Sequence, residues 1–207
     1  MVVAVHRPTR VLIDEGAIYH NVHAAVATLD AGTDLFAVIK ADAYGHGLLR
    51  VARIAIAAGA NGFCVAVLDE ALALRAAGFK QPVLVLGIID PADAQLAAEQ
   101  NIAVPVSELS WLQDAAQVLD GQRPLKVHTA VETGMGRIGF THRADLRAAS
   151  DYMSAHPDQF THEGIFTHFA TADSPDTQQF DRQVARFKEL VAVLAKRPRY
   201  VHVANTA

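Results

Sequence analysis

A lysine that closes an apolar run is the first residue of this 207-residue chain to suggest chemistry. Lys40 follows Phe36-Ala-Val-Ile39, which reads as a buried strand, and precedes Ala-Asp-Ala-Tyr44-Gly45-His46-Gly47, a polar, glycine-rich loop. Burial disfavours an ammonium, and the neutral amine is the nucleophile. Lys40 is therefore a candidate Schiff-base lysine; a lysine snorkelling from a strand end to water is the competing account. The second stretch is Glu132-Thr-Gly134-Met-Gly136-Arg137-Ile-Gly139-Phe140. The planar fork of Arg137 suits an oxyanion or carboxylate, unless it only binds a loop carbonyl. The third is Gly164-Ile-Phe-Thr-His168-Phe-Ala-Thr-Ala-Asp173. A histidine late in a buried strand is either a site residue or a core histidine with both nitrogens satisfied.

Two other chemistries fail on spacing. The glycines 134, 136 and 139 match Gly-x-Gly-x-x-Gly, but a dinucleotide site needs them to open the next helix in a first βα unit. Here the next helix starts near Arg143, in the fifth unit. No metal centre is expected either. The ten histidines never pair with cysteine or carboxylates at metalloprotease spacing, although His162-Glu163 and His168 superficially suggest it.

The elements that must position these residues follow from periodicity. Arg10–Asp14 reads as a short strand. Ile18, Val22, Ala25, Val26 and Leu29 have helical spacing within Ala17–Leu29. Buried strands follow at Phe36–Ile39, Gly62–Val67, Pro82–Gly87, Ile102–Val106 (broken by Pro105), Pro124–Val131, Gly164–Ala170 and Tyr200–Ala204. Helices fall between them: Leu48–Ala58, one capped by Asp69 and running to Ala77, one capped by Asp90 with Pro91 at its first position, one capped by Ser107 and reaching Leu119, Arg143–Ala155, and Asp176 to about Lys196. Trp111, Leu112, Ala115 and Val118 are expected to face inward. Alternating strands and helices imply βαβ units and a parallel sheet. Continuous apolar strands imply burial on both faces. Seven strands after the first helix suit an α/β, TIM-type (β/α)8 barrel lacking its last strand, with an open doubly wound sheet as the alternative.

Composition sets the outer bounds. A chain 51% hydrophobic and 19% charged can form one large core, and a net charge of -4 favours neither nucleic acid nor an anionic membrane. One cysteine, Cys64, builds no disulfide framework and suits a reducing cytoplasm. No signal peptide and no membrane span are expected.

Ala-Val-Ile-Lys40-Ala-Asp-Ala-Tyr44-Gly-His-Gly closely resembles the cofactor-lysine motif of alanine racemases, and three further stretches resemble that family in the same order. These are pyridoxal-phosphate enzymes with an α/β barrel and a β-rich C-terminal domain. The resemblance implies that Lys40 carries the cofactor as an imine and acts as the base for the D-enantiomer, and that Tyr44 reaches the cofactor phosphate. Arg137 would contact the phenolic oxygen and the substrate carboxylate, and His168 would lie against the pyridine ring. The end of the chain, Val201-His202-Val-Ala-Asn205-Thr206-Ala207, is similar to His-x-Ala-Asn-Ser. Thr206 would bind phosphate through its hydroxyl, with Asn205 and His202 in support. The sequence departs from the family at Glu132, where aspartate is usual, and at Ala130, where many members carry a carbamylated lysine that orients the arginine. The resemblance implies L-alanine and D-alanine interconversion, supplying D-alanine for peptidoglycan, in a cytoplasmic homodimer. A related serine racemase, or a single-domain pyridoxal-phosphate carrier protein, is the alternative. Residues 1–207 would then be an incomplete N-terminal barrel domain, inactive alone, without the C-terminal β domain and its second base.

Overall fold

The computed structural model describes Pro8 and residues 10–203, and over these the strands and helices alternate as the apolar runs require. The chain divides into two compact units, Met1–Cys64 and Val65–Ala207.

In the first unit, residues 10–14 are not a strand. Val11 and Leu12 are 86% and 87% exposed, so apolar character there finds no sheet to join. Asp14 instead caps helix α1, Glu15–Ala27, accepting from the Ala17 N–H at 3.0 Å. Strand β1 is Phe36–Val38 and pairs in parallel with β2, Gly62–Val65, in the register Phe36↔Gly62 to Val38↔Cys64. One turn, α2, Lys40–Tyr44, joins β1 to helix α3, Leu48–Ala57. Helix α1 lies against α3, where Gly59 leaves room for Val26.

The second unit continues from the end of β2 through α4 (Leu68–Ala76), β3 (Val83–Val85), α5 (Ala94–Glu99), β4 (Ala103–Val106), α6 (Leu109–Ala116) and β5 (Leu125–Ala130). It then runs through α7 (Arg143–Ala155), β6 (Phe160–Phe166), α8 (Gln178–Val191) and β7 (Tyr200–His202). Strand order follows sequence order, and the assigned pairs are parallel. A doubly wound sheet reverses its order at a switch point, and this one does not. Strands β2, β3 and β4 are buried at every position, as two-sided packing requires. Strands β1 and β7 are not: Val38 is exposed, and all three residues of β7 are half-buried.

Several local expectations change. Pro105 does not break β4; it lies beyond the register pair Leu84↔Ala103 that ties β4 to β3. Asp69 is inside the first turn of α4 rather than its cap, and Glu70 accepts from the Ala66 N–H at 2.8 Å. Ser107 is not a cap either, since α6 starts two residues later with Glu108 before it, and Val118 is exposed. Asp90 does cap, but a 3-10 turn, Pro91–Asp93, precedes α5.

A register shift between Val127 and His128 makes Glu163 the extra residue of a β-bulge. Glu163 is buried, and it pairs with Lys126 at 3.0 Å and His128 at 3.3 Å. The other nitrogen of His128 meets His202 at 3.0 Å. Removing Lys126 would leave the buried Glu163 carboxylate to its contact with His128 alone.

Candidate active site

Lys40 stands one residue beyond β1, as the first residue of α2, and is half-buried, its Nζ 6.0 Å from the centre of the Tyr44 ring. The loop after it is not irregular. Ala41, Asp42, Ala43 and Tyr44 all have φ between 52° and 54°, one turn of left-handed helix built without glycine. Each such residue costs roughly 1–2 kcal/mol, because its Cβ crowds the following carbonyl. The turn persists because nearby groups hold it. The Ala43 N–H donates to Ile39 O at 2.8 Å, the Gly47 N–H to Asp42 O at 2.9 Å, and His46 Nδ1 to Ala43 O at 3.0 Å. The Asp42 carboxylate accepts from the Leu48 N–H at 2.6 Å, capping α3 from six residues back. Backbone strain of this kind gathers where a side chain must be held in one place. Cys64, whose carbonyl accepts from the Ile39 N–H at 2.9 Å, has its thiol pushed up to about 12 by burial, against the opposing pull of the Lys40 charge. Cys64 is inert packing, as expected of a buried thiol.

In the second unit, the loop after β5 closes on itself. The Phe140 N–H donates to Ala130 O at 2.9 Å, and the Glu132 N–H donates to Phe140 O at 3.0 Å. Gly139 makes this possible, because a Cβ there would stand 2.5 Å from the backbone of Val131 and Glu132. Within the closed loop, the Glu132 carboxylate accepts from the N–H groups of Met135 (2.6 Å), Gly136 (2.8 Å) and Arg137 (3.0 Å), and from that of Gly134. Burial works to raise the Glu132 pKa, but these four donors hold its carboxyl below the usual carboxylate range. Ala130 is buried and carries no charge to the loop. Glu132 thus organises the backbone of Arg137 itself. Among the described residues, the Arg137 guanidinium has no hydrogen-bond or ion-pair partner.

Arg137 faces two hollows. One is an open cleft of about 520 Å³ at the carboxyl ends of β3, β4 and β5, lined by Ile88, Ser107, Glu108, Trp111, Glu132 and Arg137. The other is a narrow crevice that Arg137 shares with Ala130, Phe166, Thr167 and His168. Arg137 and His168 are therefore brought together, although 31 positions apart in sequence. His168 is not in a strand, as its apolar neighbours suggested: β6 begins at Phe160 and stops at Phe166, so His168 stands in the loop beyond. Its strand pairing ends at Phe166↔His202, and there the ladder can no longer hold the backbone extended. Asn205 and Thr206 lie outside the described residues; His202 is the last residue of β7. The glycines of the β5 loop precede α7, which starts at Arg143, so the dinucleotide geometry is absent.

In the first unit an amine stands beside a phenol, a pair suited to a carbonyl carbon. In the second an unpartnered guanidinium stands with an imidazole, a pair suited to anionic oxygens. Among the described residues no group of histidine, cysteine and carboxylates could hold a metal ion, and no helix is long and apolar enough to cross a membrane.

An α/β chain with sequential parallel strands and its candidate site residues in the loops at their carboxyl ends is of the TIM-barrel class. The chain belongs to the alanine racemase N-terminal domain family, whose model matches residues 13–207. It is 57% identical to the alanine racemase of Lacticaseibacillus casei over 210 residues, covering 100% of this chain and 56% of that protein. The crystal structure of an alanine racemase from E. faecalis superposes with a TM-score of 0.96 at 48% identity, again over 100% of this chain and 56% of that one. A histidine racemase from Leuconostoc mesenteroides subsp. sake is 41% identical, with a TM-score of 0.87 over 93% of this chain and 51% of its own. The fold is thus that of the N-terminal seven strands of a TIM-type barrel. The chain spans about half the length of the curated relatives it matches.

Proposed function

We propose that these residues form the N-terminal barrel part of a longer, pyridoxal-phosphate-dependent amino-acid racemase that interconverts L-alanine and D-alanine. The observation that carries this reading is Lys40, at the end of β1 on a strained left-handed turn, in a chain 57% identical to an alanine racemase. Pyridoxal phosphate supplies a conjugated ring that accepts the electrons left when the substrate's α-proton departs. Lys40 Nζ anchors the cofactor and moves a proton on one face of the α-carbon. A second base on the opposite face completes inversion; we assign it to a C-terminal β-rich domain. Arg137 binds the cofactor's phenolic oxygen and the substrate carboxylate, for which an unpartnered planar fork is suited. His168 would lie against the ring. Tyr44, Asn205 and Thr206 hold the phosphate. The longer protein works as a homodimer in the cytoplasm, supplying D-alanine for peptidoglycan.

Borohydride fixation of the full-length protein with pyridoxal phosphate, followed by peptide mapping, is expected to place the label on Lys40. A label on Lys126 or Lys80 overturns the assignment. Racemisation is then measured on L-alanine, L-serine and L-histidine. Turnover of alanine supports the reading, a preference for serine or histidine revises the substrate, and cofactor binding without racemisation favours a carrier protein. Residues 1–207 alone are expected to give no useful turnover.

A further inference from the structure

Gln183 is buried to 1% exposure in the middle of α8, and every hydrogen-bonding atom of its amide is used. Its Oε1 accepts from the Ala170 N–H at 3.0 Å. Its Nε2 donates to Thr133 Oγ1 at 3.0 Å and to the His168 carbonyl at 3.1 Å. A backbone N–H can only donate and a carbonyl can only accept, so the amide cannot be turned over without losing its bonds to Ala170 and His168. The Thr133 hydroxyl lies 2.8 Å from that of Thr167, the residue before His168. Gly134 meets the Gln183 side chain so closely that a Cβ there would stand 3.3 Å from Cγ. The same face of α8 grips the β5 loop twice more: Gln179 Nε2 donates to Gly134 O at 3.3 Å, and the Arg186 guanidinium to Thr141 O at 2.7 Å. Positions 179, 183 and 186 are spaced 4 and 3 apart, one stripe of a helix.

We infer that Gln183 is a positioning residue that sets the Arg137 loop and the His168 loop as one unit, so that the arginine and the histidine of the site take their places together. This rests on the reading that both residues serve the racemase site. Ala130, the last residue of β5, offers the loop no hydrogen-bonding side chain. A buried, fully bonded amide supplies rigidity where loops alone would not, and a misplacement of about 1 Å can cost on the order of 100-fold in rate. Gln183 makes no contact with reacting atoms in this account; it acts through Arg137 and His168.

The test uses the full-length enzyme. Gln183→Met keeps the length and removes all three bonds, whereas Gln183→Glu keeps the acceptor for Ala170 and loses both donors. Arg182→Ala, an exposed neighbour on α8, is the control. Both Gln183 variants are expected to lower kcat/KM about tenfold or more, with the control unchanged. In Gln183→Met, amide exchange at Ala170 should quicken about tenfold in the cofactor-free protein. Combined with Arg137→Lys, the losses should be less than multiplicative, since both changes disable one unit. A purely structural role would lower Tm and leave the kcat/KM of the folded enzyme intact. Parent-like kcat/KM in either variant, or losses that simply multiply, overturns the inference. If Gln183→Met does not fold, Gln183→Glu decides on the same criteria. If the parent enzyme racemises nothing, the functional reading fails, while Ala170 exchange still shows whether Gln183 ties the loops.

Discussion

After β1 the backbone runs through four consecutive left-handed residues, Ala41 to Tyr44, and none is glycine. After β5 the positive-φ positions are Gly134, Gly136 and Gly139, with no non-glycine residue among them. Both loops set a cationic side chain at a strand's carboxyl end. The first keeps its strain, and hydrogen bonds from within a few residues hold it: Ile39, Asp42, Ala43 and His46 suffice. The second avoids strain by using glycine; Glu132 orders it from within, and it takes further ties from far away. Gln179, Gln183 and Arg186 on α8 reach it across 45 to 50 positions. The lysine is thus positioned by local geometry. The arginine's loop is ordered by Glu132 and then tied by α8 to the rest of its unit.

Acid and alkali should separate the two units by the largest margin. In the second unit burial, and then the charge of His128, lower His202 to about 3 and His162 to about 4. Their unfolded values lie near 6.5, so between these limits the unfolded chain binds more protons. Stability of this unit is full above about pH 6.5 and falls by a few kcal/mol as the pH drops towards 4 and then 3. In the first unit Cys64 is raised from 9.0 to about 12, so stability is full below pH 9 and lost as the pH rises towards 12. Hydrogen exchange at pH 5 and pH 10 should show protection lost first in the second unit and in the first unit respectively. Equal loss in both would break the comparison.

Next in size is Gly139→Ala. The added Cβ meets backbone at 2.5 Å with φ at +132°, and nothing there is a flexible side-chain end. A loss of about 3 kcal/mol is expected from denaturant melts. Asp42→Ala removes the cap of α3 and the brace of the left-handed turn, at a cost of about 1 kcal/mol. Its effect on cofactor attachment at Lys40 should exceed that of a cap removed elsewhere, such as Asp14→Ala on α1. The smallest and sharpest prediction has the opposite sign. Ala41→Gly relieves roughly 1–2 kcal/mol of left-handed strain and costs about 0.4–1 kcal/mol of unfolded-chain entropy. A rise of a few tenths of a kcal/mol in stability, with slower cofactor attachment, would show that the strain serves position. A clear fall would show that the turn is not strained.

Much of this was legible in the sequence because it depends on near neighbours. Apolar runs bounded by glycine and proline located the seven strands, and helix α7 begins at Arg143 where its spacing put it. The residue types of Lys40, Arg137 and His168, with the glycines around them, pointed to the site. The helical turn after Lys40 was not legible, since two alanines flanking an aspartate favour right-handed backbone, and only the bonds from Ile39 and Leu48 reverse that preference. His168 looked like a strand residue because hydrophobicity runs on past Phe166, while strand length is decided by the neighbour that supplies hydrogen bonds. Glu132 could be seen only as a departure from aspartate, and its four N–H donors exist only once the loop has closed. Gln183 stands at helical spacing with Phe180, Phe187 and Leu190, which points to burial, but its role was not legible: only the docking of α8 brings its amide to Thr133, His168 and Ala170 and makes it the tie between two loops.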